Sequence, residues 1–311
     1  MMPDQLLSLV VPVFNEQEVL ETSFQRMDAA MQATGHPYEI IYVNDGSRDN
    51  TLEILRKIAA GAPQVRVLSF SRNFGHQLAV TCGMDAACGS ALIIIDVDLQ
   101  DPPELIPQMV EQWKRGADIV YGKRLKREGE TLFKKVTASV YYRLLDWMSA
   151  YPIPLDTGDF RLIDRRVADV FLQMREHNRF LRGMSAWMGF HAEPIEYERQ
   201  ERAAGSTKYT LKKMLRLAMD GITGFSDKPL TLAGGLGIGV CALAGLGLLA
   251  LIVCAACGVG VAPWLWAADG IVLLQGITLC CMGLQGMYFG RMYDELKGRP
   301  LYIVSERINI D

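Results

Sequence analysis

The sequence predicts an α/β fold with a mostly parallel sheet, followed by two membrane-spanning helices. Strand-like and helix-like segments alternate from residue 6 to residue 122, and polar residues follow several of the strand-like segments. No charged residue occurs from residue 230 to residue 268, whereas the preceding part has the composition of a soluble domain. We therefore divide the 311-residue chain into an α/β domain, residues 1–229, and a membrane anchor with a tail, residues 230–311.

Short apolar runs bounded by turn residues predict the strands, and longer amphipathic segments predict the helices. The predicted strands are residues 6–13, 38–43, 65–70, 91–95 and 117–122, and the predicted helices are residues 15–34, 49–60, 76–88 and 103–115. Strands that alternate with helices of this length favour a parallel sheet covered on both faces. Ligands of such folds bind beyond the carboxyl ends of the strands, where the polar residues lie.

Two apolar segments, residues 231–258 and 270–290, are long enough to cross a bilayer. The loop between them has no lysine or arginine, whereas basic residues flank both outer ends. The positive-inside rule therefore places both outer ends in the cytoplasm. Because the N-terminus lacks a signal peptide, we predict a multi-pass protein of the bacterial cytoplasmic membrane. Its N-terminal domain and its C-terminus face the cytoplasm.

Residues 131–150 and 211–225 are amphipathic, with basic and aromatic residues in the first and a basic side in the second. A surface helix and a helix that lies on the membrane explain residues 131–150 equally well. The position of residues 211–225, directly before the first apolar segment, favours the membrane interface. The net charge of -3 gives no reason to expect nucleic acid as a partner.

Two acidic residues, Asp96 and Asp98, follow the most apolar predicted strand. Residues two apart on a strand point to the same face, so both carboxylates would face one cleft, and Gln100 would join them if the chain stays extended. Mg²⁺ is commonly held by one or two carboxylates together with substrate phosphates, which fits this pair. The alternative is a polar strand end with solvated acids.

Two other strand ends carry polar motifs, Val11-Pro-Val-Phe-Asn-Glu16 and Val43-Asn-Asp-Gly-Ser47. Together with the paired acids, in this order and spacing, they resemble the large family of inverting glycosyltransferases that adopts the GT-A fold. The resemblance implies that a nucleotide, commonly uridine, is held by Pro12, Asn15, Glu16 and Asp45. It also implies that Asp98 and Gln100 bind Mg²⁺ or Mn²⁺, and that Asp96 ligates or orients the metal ion.

Four further segments, residues 71–77, 96–104, 156–161 and 302–306, are similar to the polyprenyl-phosphate glycosyltransferases, and in particular to the bactoprenol branch. This resemblance covers almost the whole chain. It implies a UDP-sugar donor, an undecaprenyl-phosphate acceptor at the lipid bilayer and a possible homo-oligomer. Glucose is the first choice of sugar, but the aminoarabinose transferases have a similar layout, so the sugar stays open.

Transfer to a lipid phosphate brings two anions together, and arginine binds phosphate with two parallel hydrogen bonds. The candidate phosphate-binding residues are Arg124, Arg127, Arg161, Arg202, Ser206 and Lys208. The last three lie in a segment that resembles the family's acceptor loop. For any single one, a solvated surface charge is the alternative.

Asp159 is the first candidate for a catalytic base or a residue that positions the acceptor, and Asp156 is the second. Either aspartate could instead cap a turn. Two alternatives to the lipid-phosphate function stay open: a transferase that uses a hydroxyl acceptor, and a non-catalytic membrane protein that senses nucleotide sugars. The Gln-x-x-Arg-Trp signature of processive relatives is absent from the sequence, which favours a single transfer.

Overall fold

The computed structural model describes residues 5–124, 157–177, 179–197 and 263–310. Its strands are β1 Leu7–Val13, β2 Tyr38–Asn44, β3 Val65–Phe70, β4 Ala91–Ile94, β5 Ile119–Arg124, β6 Thr157–Asp164, β7 Ala192–Tyr197 and β8 Val304–Ile308. Its helices are α1 Leu20–Gln32, α2 Thr51–Gly61, α3 His76–Ala86, α4 Ile106–Lys114, α5 Arg165–Gln173, α6 Leu181–Met188 and α7 Pro263–Leu296. A 3₁₀ turn, Pro103–Leu105, precedes α4.

The strands form one sheet in the order β7-β5-β6-β4-β1-β2-β3-β8. Four of them, β4, β1, β2 and β3, are mutually parallel, and β5 and β7 are parallel to each other. β6 runs antiparallel to β4 and β5, and β8 runs antiparallel to β3. The prediction of an α/β fold with a mostly parallel sheet is confirmed.

The sheet is covered on both faces, which explains why β1 is apolar along its whole length. Leu9 packs in a core cluster with residues of α1, α2 and α4. Val10, on the opposite face, packs in a second cluster with residues of α3, α5 and α6. Because adjacent residues of a strand point to opposite faces, a central strand covered by two helical layers needs apolar residues throughout.

The predicted start of the first helix at Asn15 is wrong, because α1 begins at Leu20. Asn15 has a φ of 54°, in the left-handed region that asparagine tolerates better than most residues. Its backbone N–H donates to Ser47 Oγ at 2.9 Å, and the N–H of Glu16 donates to Thr51 Oγ1 at 3.0 Å. These hydrogen bonds fasten the segment after β1 to the loop after β2 and to the start of α2.

The segment that follows α7 forms an edge strand of the sheet, which the sequence did not predict. β8 lies beside β3, with Val67 opposite Ile308 and Ser69 opposite Glu306. It therefore covers the edge that β3 would otherwise expose.

In the part of the chain that the structure describes, no helix combines the length and the apolar character needed to cross a membrane. The second expected span, residues 270–290, lies within α7. The first expected span, residues 231–258, and the amphipathic segments 131–150 and 211–225 lie outside the described residues.

Candidate active site

The candidate site lies where β1, β2 and β4 end and β6 begins. Arg161 of β6 pairs with Ile94, the last residue of β4. Since β6 is antiparallel to β4, Asp159, two residues before Arg161, lies beside Asp96, two residues after Ile94. The antiparallel insertion of β6 thus brings together two acidic segments that are far apart in sequence.

Three basic side chains surround the carboxylate of Asp159. Arg182 Nε of α6 donates to Asp159 Oδ1 at 2.9 Å, and Arg161 Nη2 is 3.8 Å from the same oxygen. His76 Nε2, at the start of α3, is 3.3 Å from Oδ2. Both oxygens of Asp159 therefore face cationic groups.

These neighbours determine the protonation state of Asp159. Burial raises the pKa of the carboxyl, but the charges of Arg182, His76 and Arg161 outweigh burial and hold the pKa well below its usual range. Asp159 is therefore ionised across the physiological pH range. A carboxylate with so low a pKa is a weak base, which favours a positioning role over proton abstraction.

His76 links Asp159 to the predicted metal-binding acids. Its Nε2 atom is 3.7 Å from Asp96 Oδ1. Burial lowers the pKa of His76, but Asp96 and Asp159 outweigh burial and raise that pKa to about 9. The imidazole therefore carries a positive charge between two carboxylates.

Sequence reasoning did not select His76 or Arg182 as site residues. His76 belongs to the segment 71–77 that supports the family resemblance, which was the available signal. Arg182 lies in the region where processive relatives carry their Gln-x-x-Arg-Trp signature, and its proximity to Asp159 depends on how α6 packs.

The chain turns sharply between the two acids and Gln100, so the extended chain that would align Gln100 with Asp96 and Asp98 is not present. Leu99 is buried and has a φ of 58°, which for a leucine costs about 1–2 kcal/mol. The backbone N–H of Gln100 donates to Asp98 Oδ1 at 3.2 Å. Strain of this kind is typical of functional loops, and here it turns the chain directly after Asp98.

Asp96 lies in a crowded acidic environment. Burial raises the pKa of Asp96, and the charges of Asp159, Asp98 and Asp101 raise it further. His76 opposes this increase, and the resulting pKa is about 6. Among the described residues, no group of three His, Cys, Asp or Glu side chains is arranged to hold a metal ion. The two carboxylates of Asp96 and Asp98 suit Mg²⁺ or Mn²⁺ if substrate phosphates complete the coordination. The residues present therefore fit a divalent cation that binds together with a diphosphate.

A buried hydrogen bond holds the end of this acidic loop. The hydroxyl of Tyr197, the last residue of β7, donates to the carboxylate of Asp101. The Tyr197 ring packs edge-on against Phe160, with ring centroids 6.2 Å apart. The loop is therefore fixed to β7 as well as to β4.

Asp45, predicted to hold the nucleotide, is buried at the end of β2 and fastens the loop that follows β3. Its carboxylate accepts hydrogen bonds from Phe74 N at 2.7 Å, Gly75 N at 3.0 Å and Asn73 Nδ2 at 2.8 Å. Burial raises the pKa of Asp45, and the N–H donors partly oppose that increase. This fastening role was not predicted from the sequence, and the nucleotide contact stays a prediction.

A glycine is needed at position 46, next to Asp45, because the backbone there is left-handed and because there is no space for a side chain. Its φ is 64°, and a Cβ atom there would lie 2.4 Å from the carbonyl carbon of Arg72. We expect Gly46→Ala to destabilise the protein by about 2–4 kcal/mol, because strain and a backbone clash combine. Thermal unfolding of the full chain in detergent measures this effect.

Gly35 provides the matched control, because its φ is 69° and no atom lies within 4 Å of the position of a Cβ. Gly35→Ala should cost about 1 kcal/mol, for conformation alone. Equal losses of stability in the two variants would contradict the close approach at Gly46.

The other predicted site residues fall into three groups. Pro12 lies in β1 opposite Val43, with Asn15 and Glu16 in the loop after it. Arg161 is buried and donates to Ser185 Oγ at 2.9 Å and to the Gly158 carbonyl at 3.2 Å, so it acts on Asp159 from inside the fold. Arg124 ends β5, and its side chain is outside the described part, as are Arg127, Asp156, Arg202, Ser206 and Lys208.

Comparison with known proteins identifies the family. The chain is 49% identical over 308 residues to the uncharacterised glycosyltransferase YkcC of Bacillus subtilis, covering 98% of this chain and 94% of that protein. It is 41% identical to the uncharacterised glycosyltransferase sll0501 of Synechocystis, covering 96% and 95%. It is 39% identical to the SfII prophage-derived bactoprenol glucosyl transferase of Shigella flexneri, covering 96% and 97%.

These relatives match over nearly the whole chain, and they agree with the resemblance that the motifs carry. The model of glycosyl transferase family 2 matches residues 8–172, from β1 through α5. The matched region therefore contains Asp45, the acids after β4 and Asp159. The chain belongs to glycosyl transferase family 2 and has the GT-A-like α/β fold with a mostly parallel sheet.

Proposed function

We propose that the protein transfers a sugar, with inversion, from a UDP-sugar to undecaprenyl phosphate and releases UDP. The observation that carries this proposal is the set of three basic side chains around Asp159. An aspartate held by His76, Arg161 and Arg182 is a poor base for a hydroxyl acceptor. A phosphate acceptor needs no strong base, because its second pKa is about 6 and it is mostly a dianion near neutral pH.

The basic residues also suit the acceptor's charge. His76 is shared with Asp96, but the two arginines alone outnumber the carboxylate of Asp159, so the group around Asp159 carries a net positive charge. Arg182 is the exposed member of the two arginines, with 28% of its side chain accessible against 5% for Arg161. In this proposal Arg182 contacts the acceptor phosphate, and the buried Arg161 keeps Asp159 ionised and in place.

On the donor side, we assign the nucleotide to Pro12, Asn15, Glu16 and Asp45, and Mg²⁺ or Mn²⁺ to Asp96, Asp98 and Gln100. The metal ion would neutralise charge that develops on the departing diphosphate. The strained turn at Leu99 holds Asp98 beside Gln100 before the donor arrives, so that little reorganisation accompanies binding.

The acceptor side extends into residues outside the described part. We assign phosphate binding to Arg124, Arg127, Arg202, Ser206 and Lys208, and we assign acceptor positioning to Asp156 as well as to Asp159. The relatives named bactoprenol glucosyl transferases support glucose as the sugar and a lipid phosphate as the acceptor.

We further propose that residues 230–311 anchor the enzyme in the cytoplasmic membrane as two spans, with residues 1–229 and the C-terminus in the cytoplasm. The uncharged run from 230 to 268 and the basic residues that flank the apolar segments support this topology. Association of the chains as a homo-oligomer is part of the same proposal.

The proposal is tested with the full chain in detergent, Mn²⁺ and a panel of radiolabelled UDP-sugars. Undecaprenyl phosphate is the acceptor, and undecaprenol, which carries a hydroxyl in place of the phosphate, is the matched control. We expect label in the organic phase with undecaprenyl phosphate alone, and most of it from UDP-glucose. Equal labelling of undecaprenol, or UDP release without labelled lipid, would contradict a phosphate acceptor.

A further inference from the structure

We propose that Tyr302, in the segment that follows α7, is a positioning residue for the nucleotide site, because it braces the loop of residues 71–75 that holds Asp45. The inference rests on the proposed function, since it takes Asp45 as part of the UDP-binding site. It gives a role to the C-terminal segment, which the proposed chemistry does not use.

Tyr302 is held on two sides. Its ring stacks on Phe70, with centroids 5.2 Å apart and an interplanar angle of 16°. Its hydroxyl donates to Asp85 Oδ2 at 2.5 Å. Arg175 binds the same carboxylate with two hydrogen bonds of 2.7 and 2.9 Å. The ring therefore has a fixed position against the end of β3.

From Phe70 the contacts continue to Asp45. The Phe70 ring packs edge-on against Phe74, with centroids 5.5 Å apart. The backbone N–H groups of Phe74 and Gly75 both donate to the Asp45 carboxylate. Two ring contacts and one hydrogen bond thus separate Tyr302 from the residue assigned to the nucleotide.

Hydrogen bonds to backbone carbonyls give a second connection between the C-terminal segment and the loop. Ser71 N donates to the Ile303 carbonyl at 3.1 Å, and Ser305 Oγ donates to the Ser69 carbonyl at 3.0 Å. The register between β3 and β8 shifts between Ser69 and Phe70. The loop 71–75 therefore begins where regular pairing with β8 ends, and Tyr302 lies beside that point.

The rest of the tail is anchored independently of Tyr302. Arg56 of α2 binds the Glu306 carboxylate with hydrogen bonds of 2.9 and 2.6 Å. Asn309 Nδ2 donates to the carbonyls of Ala59 and Val65 at 3.0 and 2.8 Å. A change at Tyr302 should consequently loosen the loop without detaching β8.

The test compares UDP affinity, measured by calorimetry with Mn²⁺, in full-length Tyr302→Ala, Tyr302→Phe and Glu306→Gln variants. Tyr302→Ala loses the stacking and the hydrogen bond, and we expect about 10-fold weaker UDP binding with kcat nearly unchanged. Tyr302→Phe keeps the stacking, so its UDP affinity should lie between those of Tyr302→Ala and the wild type. Glu306→Gln loosens β8 at α2 and should lower the melting temperature but leave UDP affinity unchanged.

Hydrogen exchange of residues 71–75, which needs no ligand, provides a second measurement. Faster exchange at Phe74 and Gly75 in Tyr302→Phe supports the brace. Wild-type UDP affinity in Tyr302→Ala, or unchanged exchange in Tyr302→Phe, overturns it. If the wild type itself bound no UDP, the proposed function would fail instead, and the exchange result would still decide whether Tyr302 braces the loop.

Discussion

The Asp98→Asn variant is expected to lose at least about 100-fold in kcat, since electrostatic stabilisation of a leaving diphosphate contributes several kcal/mol. The same variant should bind Mn²⁺ much more weakly in the presence of UDP. Asparagine keeps the size of the side chain and an oxygen that can accept the Gln100 N–H. The substitution therefore removes the charge with little change to the turn at Leu99.

The measurement pairs turnover with Mn²⁺ binding followed by electron paramagnetic resonance, with and without UDP. We expect the wild type to bind Mn²⁺ tightly only with UDP, because the proposed protein ligands, Asp96, Asp98 and Gln100, leave the remaining positions to phosphate oxygens. Glu111→Gln, an exposed carboxylate of α4 paired with Lys114, is the control and should behave like the wild type. Normal Mn²⁺ binding by Asp98→Asn would remove Asp98 from the metal site.

Local sequence patterns predicted the parallel part of the sheet well. Each of β1 to β4 is a short apolar run between helical segments, and polar residues follow each strand. Because the carboxyl ends of parallel strands share one edge of the sheet, these polar residues are expected to lie together there. The positions of Asp45, Asp96 and Asp98 followed from that rule without any knowledge of contacts. The start of α1 was misplaced, since Asn15 adopts a left-handed conformation that a helical pattern does not reveal.

The parts that were missed depend on contacts between distant segments. The antiparallel insertion of β6 beside β4 brings Asp159 to Asp96, and the packing of α6 brings in Arg182. β8 pairs with β3 across more than 230 residues of sequence. Nothing in the local pattern of residues 304–308 distinguishes an edge strand from a tail. The turn at Leu99 was missed for the opposite reason, because local preference alone disfavours it.

Arg182 carries the second large prediction, because the proposed acceptor contacts it directly. We expect Arg182→Gln to raise the KM for undecaprenyl phosphate about 10- to 100-fold, the range for losing a charge-assisted hydrogen bond to phosphate. The KM for the UDP-sugar should change by less than about twofold, since Arg182 lies on the acceptor side of Asp159. Arg182→Lys keeps the charge without the paired donors and should recover part of the loss.

Arg166→Gln is the matched control, because this arginine is 73% exposed on α5 and pairs with Asp118 and Asp164 away from the site. Its kinetic constants should equal those of the wild type.

A hydroxyl acceptor predicts a different pattern, in which Arg182→Gln has little effect on the acceptor KM and Asp159→Asn lowers kcat by about 10²–10⁴. Because the pKa of Asp159 is held well below its usual range, wild-type kcat should show no acid limb from this group near neutral pH. An Arg182→Gln variant with normal acceptor KM, together with a collapse of kcat in Asp159→Asn, would assign Asp159 as a base and exclude the phosphate acceptor.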